Sequence, residues 1–358
     1  MRIGLLLPLN ISFAPYLKIY TKILDKVENV EYDIIYCDKK GLKEPAKYRY
    51  DLLTEDNVSK LKKLIYYYRY SRFLLKVLKK EKYDKLIVFG PQIAVFIYHY
   101  LCKYYQGKFV MDYRDLSIDQ KFKKTYQKIL EASAVKTISS PGFKEYLPQR
   151  DDYIISHNFD IDILKNAIKD VKTESYCLHK PNEKYHVMTI GGIRHFEQNR
   201  DVIKALSNNG QFQLTFAGRG FGVPLLQEYV KRHYINNVAF TGFYEKKDEP
   251  SIIAQATFIN IYYSLEPNPR TAISNRFYNS IIYRKPMITT IGTTQGEYAK
   301  KYGIGIAVEN AENLASEIVK YEQEFDSVRY EENRQLLLNK FLEDYQVFEK
   351  TIIDFISN

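Results

Sequence analysis

The chain has 358 residues, 45% hydrophobic and 27% charged, with a formal net charge of +10 at pH 7. That length suits two domains of ordinary size, each with its own core, and no stretch supplies the roughly 18 uninterrupted apolar residues of a membrane span, so the reading is a soluble globular protein rather than an integral membrane one. The three cysteines, Cys37, Cys102 and Cys177, are odd in number and far apart, which points to a reducing cytoplasm and away from a disulfide framework or a paired-cysteine metal site.

Predicted elements alternate along the first half. The start, Met-Arg-Ile-Gly-Leu-Leu-Leu, reads as a buried strand over 2–7; the apolar run is short and polar Asn10 and Ser12 follow without a small-residue cleavage site, so a signal peptide is the poorer reading. A helix is expected over 14–26, a strand over 32–36, a long helix over 58–80 and a strand over 85–89. A helix over 91–105, a strand over 108–112, a helix over 120–132 and strands over 135–138 and 153–155 complete the half. In the long helix Leu61, Leu64, Ile65, Tyr68, Leu75 and Leu78 fit one face, which is expected to cover the sheet. Ten lysines and arginines against two acids fall between 59 and 85, interleaved with Tyr66, Tyr67, Tyr68 and Tyr70. The basic face over 60–82 is read either as solvated or as meeting an anionic membrane surface, and nucleic acid is not expected because no nucleic-acid module accompanies it.

The polar stretch 165–184 reads as a linker, after which the rhythm resumes. His186-Val-Met-Thr-Ile190 runs into Gly191-Gly192-Ile193-Arg194, Phe212-Gln-Leu-Thr-Phe216 into Ala217-Gly218-Arg219-Gly220, and Val238-Ala-Phe240 into Thr241-Gly242. Strands over 258–263 and 286–290 and helical segments over 311–325 and 330–357 follow. The expected class is α/β: two Rossmann-like domains, 1–164 and 185–330, facing a central cleft, with a C-terminal helix over 331–358 packing across the join toward the first domain.

Glycines and arginines recur where these strands end. Gly191 and Gly192 before a helix offer backbone amides to phosphate oxygens, and Arg194 adds a cation; the alternative is a purely structural turn. Gly218 and Arg219 sit at the end of the next strand, so the two arginines would project from neighbouring strand ends toward a diphosphate. Asn275, Arg276 and Asn279 fall at helix-start spacing, either a cation and two amides at an anion-binding helix end or an ordinary start capped by Ser274. In the first half Asp112, Arg114 and Asp115 end a strand, as proton-transfer or hydroxyl-binding groups or as an internal ion pair, and His157 is either catalytic or structural. The six histidines lie apart and no metal-ligand spacing occurs, so no metal is expected. A nucleophile elbow, a Walker loop and a Gly-x-Gly-x-x-Gly at the first strand are all missing from the sequence.

Taken in order, these segments resemble the GT-B glycosyltransferases, specifically the large retaining family 4 and its relatives that build bacterial surface polysaccharides, capsule among them. The resemblance covers most of the chain. It rests on residues 112–116 (Asp-Tyr-Arg-Asp-Leu), 138–147, 155–160 (Ile-Ser-His-Asn-Phe-Asp), Gly191-Gly192, 216–220, 240–242, and Ser274-Asn-Arg-Phe-Tyr-Asn279 followed by Lys285-Pro286. It implies a hexosyltransferase-type enzyme whose C-terminal domain binds a nucleoside-diphosphate sugar and whose N-terminal domain binds a glycan or polyprenyl-linked glycan, with no further cofactor. The implied setting is cytoplasmic, peripheral on the inner face of the membrane. Arg276 stands where the family has a diphosphate-binding lysine and Asn279 where it has a ribose-binding glutamate; Ala272 matches a further family acid, for which nearby Glu266 is a substitute. By that resemblance Arg194, Arg219, Arg276 and Asp112 form the catalytic set, with Gly191, Gly192, Gly218, Asn275, Asn279 and Glu266 around the donor. Replacing Arg276 by alanine would then lower turnover severely with the fold intact. The competing expectations are a sugar-nucleotide epimerase of the same architecture, kept open by Asp112, Asp115 and His157, and a non-catalytic nucleotide-sugar-binding subunit.

Overall fold

The computed structural model of the protein describes residues 1–54, 59–172, 174–179 and 183–358; Val58, the expected start of the long helix, and positions 173 and 180–182 of the expected linker lie outside the described residues. The chain divides into two compact units, Met1–Asp160 together with Glu343–Asn358, and Ile161–Leu342.

The strands of the first unit are β1 (Arg2–Leu7), β2 (Glu31–Asp38), β3 (Tyr48–Asp51), β4 (Lys85–Phe89), β5 (Phe109–Tyr113), β6 (Val135–Ile138) and β7 (Tyr153–Ile155). Among the described residues they form one parallel sheet in the order β3-β2-β1-β4-β5-β6-β7. Parallel sheets covered on both faces demand near-continuous apolar strands, and Leu86, Ile87, Val88 and Phe89 are wholly buried. The covering helices are α1 (Leu17–Leu24), α2 (Lys60–Glu81), α3 (Pro91–Phe96), α4 (Tyr98–Tyr104) and α5 (Lys123–Ala132). β3 escaped the sequence reading because Tyr-Arg-Tyr-Asp is a short, half-exposed edge strand.

Helix α2 corrects one expectation. Its buried face is Tyr70, Leu74, Val77 and Leu78, and the Tyr70 hydroxyl donates to the carbonyls of Leu7 (2.7 Å) and Ile35 (3.2 Å). Tyr68 lies about 200° around the helix from Tyr70, so the row Leu61, Leu64, Ile65, Tyr68 faces solvent instead of the sheet.

The second unit holds β8 (Tyr185–Gly192), β9 (Phe212–Arg219), β10 (Val238–Gly242), β11 (Phe258–Ile261), β12 (Met287–Thr290) and β13 (Gly305–Val308). They form a parallel sheet in the order β10-β9-β8-β11-β12-β13. Its helices are α6 (Ile161–Lys169), α7 (Phe196–Leu206), α8 (Gly222–Arg232), α9 (Glu249–Ala254), α10 (Pro267–Thr271), α11 (Asn275–Ile282), α12 (Thr294–Tyr302) and α13 (Leu314–Gln323). The final helix, α14 (Ser327–Ser357), begins in this unit and from Glu343 onward belongs to the first.

The stretch expected as a linker therefore starts inside a helix, and the division falls earlier, after Asp160. Fully buried Arg334 ties α6 to the second unit. Its guanidinium donates to the carbonyls of Ala167 (3.2 Å), Ile281 (2.6 Å) and Ile282 (3.2 Å) while pairing with Glu331.

Candidate functional site

In each sheet the unit's first strand lies between its second and its fourth, the order 3-2-1-4-5-6 that places a topological switch point beside β1 and beside β8. Ligands of open parallel sheets bind outside the carboxyl ends of the strands at such points. The two are furnished differently.

After β1, the loop amides are already occupied. Ile11 and Ser12 donate their N–H groups to the Glu44 carboxylate at 2.8 and 2.6 Å. Buried Asn10 donates to Asp38 Oδ1 at 2.7 Å, and Asp38 also accepts the amides of Lys40, Leu42 and Lys43. Burial pushes the Asp38 carboxyl up, but the Asn10 side chain and these amides outweigh it and hold it at about 2.

After β8 there is no such internal carboxylate on the loop amides among the described residues. The register pairs Gly191 with Gly218 and Gly192 with Arg219, so the loops carrying Arg194 and Arg219 leave adjacent strand ends. Both arginines are exposed, and the Arg219 guanidinium lies 4.1 Å from the centroid of the Phe243 ring. The glycines do two jobs. A Cβ on Gly218 (φ +137°) would sit 2.0 Å from the Gly191 carbonyl oxygen, so Gly218 lets two strand ends touch rather than meeting a ligand. Gly191 (φ +88°) has nothing nearer to its missing Cβ than the Tyr244 hydroxyl at 3.8 Å, which leaves open space beside the first loop.

Arg276 is buried rather than presented. Its Nε donates to the Ile190 carbonyl at 2.5 Å and its Nη2 to that of Gly192 at 2.8 Å, with Nη1 3.5 Å from Asn260 O. Its donors are thus spent on the end of β8, which it fixes in place, and the expectation of a direct diphosphate contact gives way to a positioning role. Ser274 does not cap α11; its hydroxyl and amide both donate to Gln295 Oε1, at 2.7 and 3.0 Å. Asn275 and Glu266 are exposed at the starts of α11 and α10.

A buried polar chain holds the same loop from below: Asn260 Nδ2 donates to Thr189 Oγ1 (2.8 Å) and to Asn199 Oδ1 (3.2 Å), and Asn199 Nδ2 donates to the His195 carbonyl (2.6 Å). His195, which the sequence reading passed over, stands directly after Arg194 with its ring 4.9 Å from that of Tyr263. Burial lowers its imidazole pKa, and the charges of Arg276 and Arg194 lower it further. Asn279, in the place of a family glutamate, donates its Nδ2 to Glu249 Oε1 at 2.9 Å. Buried Glu249 also accepts from the Tyr244 hydroxyl (3.3 Å) and pairs with Lys246. A carboxylate therefore stands beside position 279 after all, supplied from thirty positions earlier, where sequence spacing gives no hint of it.

Of the first-unit candidates, Asp112 and His157 are taken up internally, while Asp115 is exposed. Asp112 is fully buried, with Arg114 Nε 2.7 Å from Oδ1 and Nη2 donating to Oδ2 at 2.8 Å. Arg114 also donates to the Ser156 carbonyl and hydroxyl and lies over the Tyr16 ring. Asp112, expected in the catalytic set, is thus half of a structural ion pair that ties β5 to the segment after β7. His157 sits 3.1 Å from Asp344 and stacks on Phe159, a structural partner for the middle of α14.

Two Rossmann-like units in one chain, the second giving its last helix back to the first, define the GT-B fold. No protein-family model and no curated protein sequence matches the chain. Among solved structures it is similar to HepE of Anabaena in complex with UDP (15% identity, 99% of this chain and 100% of that one, TM-score 0.69). It is also similar to the apo lipopolysaccharide outer core galactosyltransferase WaaB (15% identity, 99% of each chain, TM-score 0.63). A third likeness is to the UDP-GlcNAc 2-epimerase of Neisseria meningitidis bound to UDP-GlcNAc (12% identity, 96% of this chain and 100% of that one, TM-score 0.59). Transferase and epimerase share this fold, so the site must discriminate between them.

Proposed function

We propose that the protein is a glycosyltransferase that takes a sugar from a nucleoside diphosphate bound at the carboxyl ends of β8 and β9. The observation that carries this reading is the contrast between the two switch points: the first is filled by the chain's own Glu44 and Asp38, the second presents open backbone beside Gly191 and two exposed arginines on adjacent strand ends. UDP and a UDP-sugar bound to fold relatives support a nucleotide donor.

In this reading Arg194 and Arg219 hold the diphosphate. As the bond from the sugar to the β-phosphate oxygen breaks, negative charge grows on that oxygen, and the fixed cations with the loop amides stabilise it, the electrostatic part of the work that a divalent ion does elsewhere. Transfer is then metal-independent. Arg276 holds the end of β8, and His195, neutral near pH 7, donates a hydrogen bond to the diphosphate. The first unit receives a glycan or polyprenyl-linked glycan, the configuration at the sugar carbon is retained, and the setting is bacterial surface polysaccharide synthesis at the cytoplasmic face of the membrane.

The epimerase reading loses two of its three acid–base groups, since Asp112 is locked to Arg114 and His157 lies against Asp344, which leaves it exposed Asp115. The deciding experiment incubates the full chain with radiolabelled nucleotide sugars, with and without lipid-linked glycan acceptors. Labelled acceptor plus free nucleoside diphosphate is the expected result. A changed sugar nucleotide formed without acceptor would overturn the proposal in favour of an epimerase.

A further inference from the structure

The amino ends of β4, β5 and β6 border a cavity of about 1070 Å³ that lies wholly within the first unit, at the upper limit of small-ligand sites. Strands β4 and β5 are five residues each, roughly 17 Å long, so the cavity lies at the sheet edge opposite the carboxyl ends and their switch point. Lysines outnumber acids in its lining, Lys79, Lys82, Lys85 and Lys108 against Asp84 and Asp354. Asp84 is already engaged, accepting the Arg2 amide at 2.7 Å. Tyr100 and Tyr104 line the cavity too, their ring centres 4.8 Å apart, and Tyr104 is 56% exposed.

Part of this positive charge serves the fold. In a parallel sheet the covering helices end at the amino edge of the strands, and their last carbonyls carry partial negative charge there. Lys85 answers that demand: it is buried, and its ammonium donates to the carbonyls of Phe355 and Ile356 in the last turn of α14. Lys79, Lys82 and Lys108 do not. All three are exposed, and among the described residues none of them forms an ion pair.

A ligand for this cavity has to bring negative charge for three lysines, apolar faces for two tyrosine rings, and donors for helix-end carbonyls. A nucleotide meets the first two, but phosphates favour the amides of helix N-termini, and α2 and α4 present their carboxyl ends here. Inorganic phosphate offers no apolar face. An acidic oligosaccharide meets all three, with carboxylates for the ammonium groups, hydroxyls that donate to carbonyls and C–H faces that pack on aromatic rings. We propose that this cavity binds an acidic oligosaccharide, Tyr100 and Tyr104 packing against its sugar rings and Lys79, Lys82 and Lys108 pairing with its carboxylates. The site belongs to the first unit, and its test uses no nucleotide sugar, so it stands or falls independently of the donor assignment.

The test is surface plasmon resonance with the full chain immobilised and trimers of galacturonic acid, sialic acid and glucose passed over it at low and high salt. At least one acidic trimer should be retained, less at high salt, and the glucose trimer should not. Lys79→Gln with Lys108→Gln should weaken that binding about tenfold, and Tyr104→Ala about fivefold to tenfold. All three positions are exposed, so unchanged thermal unfolding will show that the fold is kept. Failure of both acidic trimers to bind would overturn the proposal, as would equal retention of the glucose trimer or binding that survives either variant undiminished. Nucleoside monophosphates run beside them supply the remaining outcome: tighter retention of one of these, lost in the same variants, would give the cavity to a nucleotide instead.

Discussion

Replacing Arg276 by alanine separates a residue that builds the site from one that touches the ligand. The guanidinium makes two short charge-assisted donations, to Ile190 O at 2.5 Å and Gly192 O at 2.8 Å, and a long one to Asn260 O at 3.5 Å. Hydrogen bonds from a charged donor contribute about 1.5–3 kcal/mol each, and carbonyls left buried without partners cost a similar amount. The alanine variant should therefore lose about 3–5 kcal/mol, with the 3.5 Å contact adding little. For a unit of this size each kcal/mol moves the midpoint by about 2–4 °C, so the second unit should melt roughly 10 °C lower. Arg276→Lys, with a single ammonium that can reach one carbonyl, should recover about half of that loss. The assay is differential scanning calorimetry on the intact protein, with nucleotide affinity measured well below the midpoint. A variant that melts like the wild type yet binds no nucleotide would refute the reasoning and return Arg276 to direct ligand contact.

Gly218→Ala should leave little folded protein, because its Cβ would meet Gly191 O at 2.0 Å at a φ of +137°, whereas Gly192→Ala has only Arg194 Nε at 3.6 Å and should fold; soluble yield and melting temperature of the two check this. The lowered pKa of His195 means the free protein resists its protonation, so stability rises with pH through the range between the native value and the ordinary 6.5. A bound diphosphate reverses that environment, and nucleotide binding just below pH 6.5 should take up a proton, seen as a calorimetric heat that depends on the buffer and vanishes in His195→Gln. Asp38, held at about 2, stabilises the first unit above the usual carboxylate range and loses that effect as pH falls from about 4 to about 2. Asp38→Asn should therefore be destabilised at pH 7 and converge on the wild type under acid, as followed by circular dichroism.

Much of the fold can be read in the sequence because parallel strands covered on both faces leave a signal that needs no partner information. Leu86-Ile-Val-Phe89 is apolar throughout and Phe258-Ile-Asn-Ile261 apolar but for Asn260, and glycines fall at the ends of β8 and β9 where these touch. Edge strand β3 gives no such signal. Periodicity in α2 marks an apolar row but not whether the row is buried; that is decided by the Tyr70 hydroxyl, which locks the opposite side of the helix onto β1 and β2. Around the second switch point, Gly191, Gly192, Gly218, Arg219 and Arg276 gather on neighbouring strand and helix ends. What spacing hides is direction: Arg276 points inward to carbonyls and Arg194 outward to solvent. Glu249 was invisible for a different reason, since its link to Asn279 exists only once β10, α9 and α11 are assembled.

Donor-site chemistry requires the second unit to bind a nucleoside diphosphate. Isothermal titration of the protein with UDP, GDP, TDP, CMP and ADP in the presence of EDTA tests it most directly, repeated on Arg194→Ala and Arg219→Ala. One nucleoside diphosphate should bind despite the chelator, and each exposed arginine removed should weaken it about tenfold with no change in the melting of the free protein. Binding that is absent for every nucleotide, or that survives the loss of both arginines undiminished, would contradict the assignment.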